Sequence, residues 1–221
     1  MGHHDMVIDC LRHGACEGPS CLRGHTDVGL SKRGIQQYRA LLDQLAAPDD
    51  ILSSPLGRCT KGAQMLAQHF QCDYTLMPEL AEMDFGEWDG VPLQQLHQRF
   101  PTELANFWQD PYRYPPPGSE PLTDFSQRCE QAWQQLVSRR QQRLLVVTHA
   151  GVLKSWIAAR LGLERITSEY LATLHIDYAS LVRFRVSFPA EDAQRPWVRL
   201  DYLGNPAGLE TADADLMGHD E

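Results

Sequence analysis

The apolar run Val7-Ile8-Asp9-Cys10-Leu11 stops abruptly at Arg12, His13 and Gly14, and the same grammar returns where Leu144-Leu145-Val146-Val147 runs into Thr148, His149, Ala150 and Gly151. Each reads as a buried strand whose last residues emerge at the edge of a sheet. In open α/β sheets that edge, beyond the carboxyl ends of the strands, is where ligands bind. An arginine there offers a planar fork of donors suited to phosphate. A histidine offers a nucleophile or proton carrier, and a glycine lets backbone approach. Singly, a histidine beside an arginine is an ordinary packing or surface pair. The recurrence of the pattern constrains the fold.

A chain of 221 residues has room for one α/β domain with a sizeable core and a small inserted subdomain. No apolar run approaches the roughly 18 residues that span a bilayer. The N-terminus lacks the basic and apolar regions of a signal peptide, so a cytoplasmic protein is expected. A net charge of −9 argues against nucleic acid and anionic membranes as partners, but not against a small anionic substrate held by a local cluster of Arg and His. The six cysteines contain no C-x-x-C pair; Cys16 and Cys21 fit the first gap of a plant-type iron–sulfur pattern, but Gly24 stands where a third ligand is needed. Without a secretory signal, free and packed thiols are expected rather than a disulfide framework.

In chain order, residues 15–30 are rich in Gly, Pro and Ser and long enough to fold over a pocket. Ser31 reads as an N-cap before Ile35, Tyr38, Leu41, Leu42 and Leu45 at helical spacing. Ile51-Leu52 is a short buried strand. The helix after it carries Cys59, Ala63, Leu66 and Phe70 on one face, with Arg58 near its start. Gly57 to Gly62 resembles a P-loop, but Ala63-Gln64 replaces the Lys-Ser/Thr pair that touches phosphate and magnesium, so that reading is rejected. Tyr74-Thr75-Leu76 is a short strand, and residues 79–90, with acids, aromatics and glycines, form a structured loop. A helix from Pro92 to Phe100 follows, and Thr102 caps another that carries Leu104, Phe107 and Trp108. A stiff proline loop fills 112–121.

The amphipathic helix beyond it faces the core with Phe125, Cys129, Trp133 and Leu136. Val152, Trp156, Ile157 and Leu161 mark the helix that ends at Gly162. Val182, Phe184, Val186 and Phe188 alternate with polar residues, as do residues 198–202, which predicts an antiparallel edge. The domain is expected to span residues 1–203, with a cap-like insertion at about 91–122. A flexible acidic tail over 204–221 completes the chain.

Four blocks stand in order: Leu-Arg-His-Gly at 11–14, Ser-Ser-Pro-Leu-Gly-Arg-Cys at 53–59, Glu-Met-Asp-Phe-Gly-Glu-Trp-Asp-Gly at 82–90, and Thr-His-Ala-Gly at 148–151. Together they resemble the histidine phosphatase superfamily, the phosphoglycerate-mutase-like clan. The resemblance implies a three-layer α/β/α sandwich with a mostly parallel central sheet. It also implies that His13 attacks phosphorus while Arg12, Arg58 and His149 hold the phosphoryl oxygens. Glu82 would protonate the departing oxygen and then activate water. Arg23, Gly24 and Ala150 would complete the phosphate contacts. No metal and no cofactor is implied, because arginines neutralise the phosphate. The partner would be a small phosphorylated substrate, and the chain a monomer or homodimer.

There are departures. Ala15-Cys16 stands where many members carry Glu-Thr, and Pro19 stands where mutases carry an asparagine. Between Val91 and Gln127 the only basic residues besides His97 are Arg99 and Arg113, so the basic insert of the mutases is missing. Residues 106–125 are similar instead to the Phe-Trp-x-Asp-Pro…Pro-Pro-Gly-Gly-Glu segment of α-ribazole-5'-phosphate phosphatases of cobalamin biosynthesis, with Ser119 in place of the second glycine. On that resemblance Trp108, Tyr112 and Tyr114 form an aromatic cap over the substrate. A broad-specificity phosphatase, a mutase and a phosphoester-binding regulator without turnover stay open as alternatives.

Overall fold

A computed structural model describes residues 4–189 and 196–207. Six strands form one sheet: β1 (His4–Arg12), β2 (Asp50–Ser53), β3 (Tyr74–Leu76), β4 (Arg143–Thr148), β5 (Leu181–Phe188) and β6 (Trp197–Gly204). Their order is β3-β2-β4-β1-β5-β6. The first four run parallel, and β5 is antiparallel to both β1 and β6. The expected antiparallel edge is present, with β6 outermost.

Alternation along β1 divides the core in two. Met6, Ile8 and Cys10 point to one face, where they meet α5 (Leu122–Ser138) and α6 (Ala150–Arg160) around Phe125, Trp133, Trp156 and Phe184. Leu11 points to the other, with Ile51, Leu145 and Val147, against α1 (Lys32–Leu42) and α2 (Gly57–Phe70). These are the three layers of an α/β/α sandwich. Trp133 is the hub of the first face, packing edge-on to Trp156 at 5.7 Å and Phe184 at 5.0 Å. No helix among the described residues is long and apolar enough to cross a membrane.

A third, smaller core lies between Trp88, in a short 3-10 turn, and two short helices. α3 (Leu93–Arg99) and α4 (Pro101–Gln109) close Leu96, Leu104 and Phe107 over Trp88. Phe85 packs against this cluster and the large one alike. Two local expectations are corrected, and one element is added. α4 starts at Pro101 after Phe100, with no side-chain cap, because proline already supplies the first helical φ; Thr102 lies within its first turn. Leu161 is not on the buried face of α6 but at its C-cap, 63% exposed, where the helix stops before Gly162 in the left-handed region. A further short helix, α7 (Ser168–Thr173), has no buried residue and so left no apolar period to read. Beyond Ala207 the acidic tail lies outside the described residues.

The start of α1 is docked onto the loop after β1. Ser31 caps the helix by accepting from Gly34 N at 3.1 Å and donates to the Ala15 carbonyl at 3.0 Å, while Gln37 accepts from Ala15 N at 2.8 Å. Gly34 permits this approach, since a Cβ there would sit 2.1 Å from the Ala15 carbonyl oxygen. The obstruction is backbone on both sides. Gly34→Ala is therefore expected to destabilise the fold by about 1–3 kcal/mol, measured by urea denaturation; a variant as stable as wild type would show that α1 is free to move away.

Candidate active site

In-register pairing of Arg12 with Thr148 across β1 and β4 brings the two strand ends together, and His13 N donates to the Thr148 carbonyl at 2.9 Å. The imidazoles of His13 and His149 consequently lie 5.2 Å apart at 61°. His13 Nδ1 is 2.9 Å from the Gly14 carbonyl oxygen. A carbonyl only accepts, so Nδ1 carries the proton and Nε2 keeps its lone pair. Cys16 Sγ is 3.4 Å from the same Nδ1. Arg12 donates through Nη1 to the Ile176 carbonyl at 2.6 Å, and its guanidinium lies 4.0 Å over the Tyr178 ring.

Arg58, in the first turn of α2, is wholly buried and donates to the carbonyls of Gly24 (2.7 Å), Arg23 (3.2 Å) and Thr26 (3.3 Å). The loop it grips is fixed from outside by Asp89, which accepts from the backbone N–H groups of Gly24, His25 and Thr26. Asp27 closes the ring by accepting from Gly57 N at 2.7 Å. Gly24 has no room for a side chain, because a Cβ would meet the Met83 carbonyl oxygen at 2.0 Å. Arg23 spends Nη2 on the carbonyls of Pro19 and Glu17. The Nε atoms of Arg12, Arg23 and Arg58 are all buried without a hydrogen-bond partner. Buried charged donors left unpaired are unfavourable, and an oxyanion is the ligand that satisfies them.

Glu82 is tied to the start of α6, its carboxylate accepting from Gly151 N at 3.0 Å and Met83 N at 3.1 Å. Gly151 lets the carboxylate come this close to the start of α6: a Cβ there would lie 2.1 Å from Glu82 Oε1 and would push the acid out of its present position. Ala150 precedes it as the first helical residue of α6. Arg128 braces the acid's own backbone, donating to the carbonyls of Glu79, Ala81 and Glu82 while pairing with Glu120 at 2.8 Å. His149 Nε2 lies 2.7 Å from Ser54 Oγ.

Burial, and then the nearby Arg12 and Arg58 guanidinium groups, hold the His13 imidazole well below its ordinary pKa. Burial also dominates at His149, with Arg58 next. Both rings are therefore neutral at about pH 7, the state in which an imidazole is a nucleophile.

Of the sequence-derived set, Arg12, His13 and His149 meet at the carboxyl ends of β1 and β4, Arg58 and Arg23 lie close enough to His13 to bias its charge, Arg58 holds the Gly24 carbonyl, and Glu82 is bound to the start of α6 beside Ala150. The cap aromatics have other contacts. Tyr112 packs on the large core, accepts from Ile166 N at 3.2 Å and lies under Arg165. Trp108 is 45% exposed against Phe107, and Tyr114 stacks with Arg113. None of these contacts reaches the histidines or Arg12.

Sequence reasoning missed Tyr178, Ser54, Arg128, Asp89 and Lys154. Ser54 and Asp89 stood inside the quoted blocks; nothing local marked the other three. Lys154 lies on α6 one turn past Gly151, donates to the Leu171 carbonyl at 2.8 Å, and is pushed down to about 8 by burial and Arg12.

Residues 8–193 match the sequence profile of the histidine phosphatase superfamily (branch 1), and the chain belongs to that family. It is 33% identical to the bifunctional protein Rv2228c of Mycobacterium tuberculosis over 177 residues, 77% of this chain and 48% of that one. The chain thus spans about half the length of that relative. It is 31% identical to the adenosylcobalamin/alpha-ribazole phosphatase of Escherichia coli over 163 residues, 72% of this chain and 80% of the relative. The crystal structure of the alpha-ribazole phosphatase from Shigella flexneri superposes with a TM-score of 0.73 at 28% identity, covering 93% of this chain and all of that one.

Two buried neutral histidines make stability depend on pH. Their pKa values are lowered from about 6.5 in the unfolded chain, so below that pH the unfolded state binds more protons. Stability is full above about pH 6.5 and falls as pH drops toward the folded values, by up to about 1.4 kcal/mol per pH unit per histidine. The melting temperature should fall between about pH 7 and 5, less steeply for His13→Asn/His149→Asn. Parallel curves for the two proteins would contradict burial as neutral rings.

Proposed function

We propose that this chain is a phosphomonoesterase that works through a phosphohistidine on His13. The observation that carries the reading is the set of buried, unpartnered guanidinium donors on Arg12, Arg23 and Arg58 beside an imidazole whose Nδ1 is held by the Gly14 carbonyl. In the first step His13 Nε2 attacks phosphorus, the bond to the ester oxygen breaks, and Glu82 in its acid form gives that oxygen a proton. In the second, water attacks phosphorus while Glu82 takes its proton, the P–N bond breaks, and inorganic phosphate leaves. Preorganised donors hold the charge on the equatorial oxygens throughout. A bound dianion offsets the repulsion that Arg58 and Arg12 exert on a His149 proton, while burial still opposes it.

The substrate we infer is α-ribazole 5'-phosphate. Its support is the similarity of residues 106–125 to the phosphatases of that ester and the names of the Escherichia coli and Shigella flexneri relatives. The insertion's cations add to it: Arg99 and Arg113 are stacked on Phe100 and Tyr114. A second reading, a doubly anionic ester such as a phosphoglycerate with either phosphatase or mutase turnover, is favoured by Lys154 alone.

A phosphate-release panel in the presence of EDTA separates the two. We expect kcat/KM for α-ribazole 5'-phosphate to exceed that for 3-phosphoglycerate by at least about 100-fold, equivalent to about 2.7 kcal/mol. Rapid quench should trap acid-labile label on His13 and none in His13→Ala. Comparable efficiency on 3-phosphoglycerate would select the second reading. Loss of activity in EDTA, restored by a divalent ion, would refute metal independence.

The acid is tested by leaving group. Glu82→Gln should cut turnover of an alkyl ester by roughly 10²–10⁴-fold and that of p-nitrophenyl phosphate far less, because nitrophenolate leaves without a proton. Equal losses would remove Glu82 from the role.

A further inference from the structure

The loop between α7 and β5 is fastened to Arg12 and His13 at the end of β1. Arg12 N donates to the Ser180 carbonyl at 3.0 Å, Ala179 N donates to the His13 carbonyl at 3.1 Å, and Arg12 Nη1 takes the Ile176 carbonyl at 2.6 Å. Ala179 is buried and adopts φ +58°, a conformation that residues other than glycine enter only where the surroundings demand it. The turn delivers one side chain to the site. The half-buried Tyr178 ring lies 4.0 Å from the Arg12 guanidinium carbon and 5.6 Å from the His13 ring, at 50°.

The way a ring restrains an arginine differs from the way a carboxylate does. A carboxylate occupies the in-plane N–H groups and neutralises the charge. An aromatic face attracts the cation from above the plane and leaves every edge donor free. Arg12 fits the second case: one donor is on Ile176, and Nε is buried with no acceptor. The same ring covers one side of His13 and helps keep water from it.

We propose that Tyr178 is a positioning residue for phosphoryl transfer, its ring fixing the Arg12 guanidinium from the face so that Arg12 offers its free edge to the phosphoryl group on His13. The proposal rests on the phosphohistidine reading above. It assigns the work to the ring and none to the hydroxyl.

The charged and titratable groups around His13 are Arg12, Arg23, Arg58, His149, Cys16 and Tyr178. Removing only the ring therefore leaves the charges in place and admits water. Tyr178→Leu should lower kcat/KM for p-nitrophenyl phosphate about tenfold, the worth of a desolvated cation–π contact. It should weaken orthovanadate binding by a similar factor and move the acid limb of the pH profile upward. Tyr178→Phe should stay within about twofold of wild type in all three. Should the leucine variant fail to fold, Tyr178→Met supplies a second ring-free side chain, about as large as leucine and more flexible. In the wild-type protein itself, the Arg12 side-chain resonances should be displaced upfield by the ring current.

Wild-type vanadate affinity and pH limb in Tyr178→Leu would overturn the proposal. So would a phenylalanine variant as impaired as the leucine one, or Arg12 resonances at ordinary positions. A wild-type protein that releases phosphate from no ester would refute the function, while vanadate affinity and the Arg12 resonances would still decide the role of Tyr178.

Discussion

Everything in the site depends on one piece of backbone pairing, the parallel register of β1 on β4 that sets Arg12 opposite Thr148. It ends two strands at the same height, so both histidines leave the sheet side by side. It also leaves the ends of the strands open to the start of α2, which carries Arg58, and to the loops that carry Glu82 and Tyr178. Without that register the arginine and histidine side chains would be scattered along one edge of an acidic protein. With it, they converge inside a chain whose net charge is −9. Local geometry overrules global charge because Arg58 is buried and Arg12 and Arg23 are half-buried, so their fields are screened less than those of surface charges.

The electrostatic design is a balance between two opposing demands. Arginines gathered around a phosphate also repel a proton from the nearby imidazoles, and burial acts in the same direction. The outcome is a neutral His13 imidazole, held in one tautomer by a carbonyl that cannot itself titrate. A carboxylate in that place would fix the same tautomer but pull the imidazole toward its charged form. The backbone oxygen orients without that penalty.

Much of this was legible in the sequence for identifiable reasons. The strand ends were visible because buried strands read as uninterrupted apolar runs. β5 was visible because its alternation, Val182, Phe184, Val186, Phe188, survives as a true burial pattern. Arg12, His13, Arg58, Glu82 and His149 stood in blocks short enough to be read locally. Tyr178 and Arg128 were not legible. Each acts on a segment far away in the chain, Tyr178 on the end of β1 and Arg128 on the carbonyls around Glu82, and neither sits in a pattern of its own. Leu161 misled because helical spacing continues into a residue that already belongs to the cap. The cap aromatics show the same limit in reverse. Their composition was plain, but the residues they touch were not.

Phe85 and Trp88 place the hinge between chemistry and specificity in an unexpected spot. Trp88 belongs to the small core under α3 and α4, Phe85 touches both that core and the large one, and both lie within a few residues of Glu82. Those two helices thus have a hydrophobic centre of their own, but its foundation stone is set in the acid loop. In evolutionary terms, helices α3 and α4 can be exchanged or lengthened while the sheet stays untouched, provided whatever replaces them still covers Trp88. A lineage that alters its cap freely must conserve that covering surface. A chimera built by grafting a relative's cap succeeds or fails on the same few side chains, and not on the histidines.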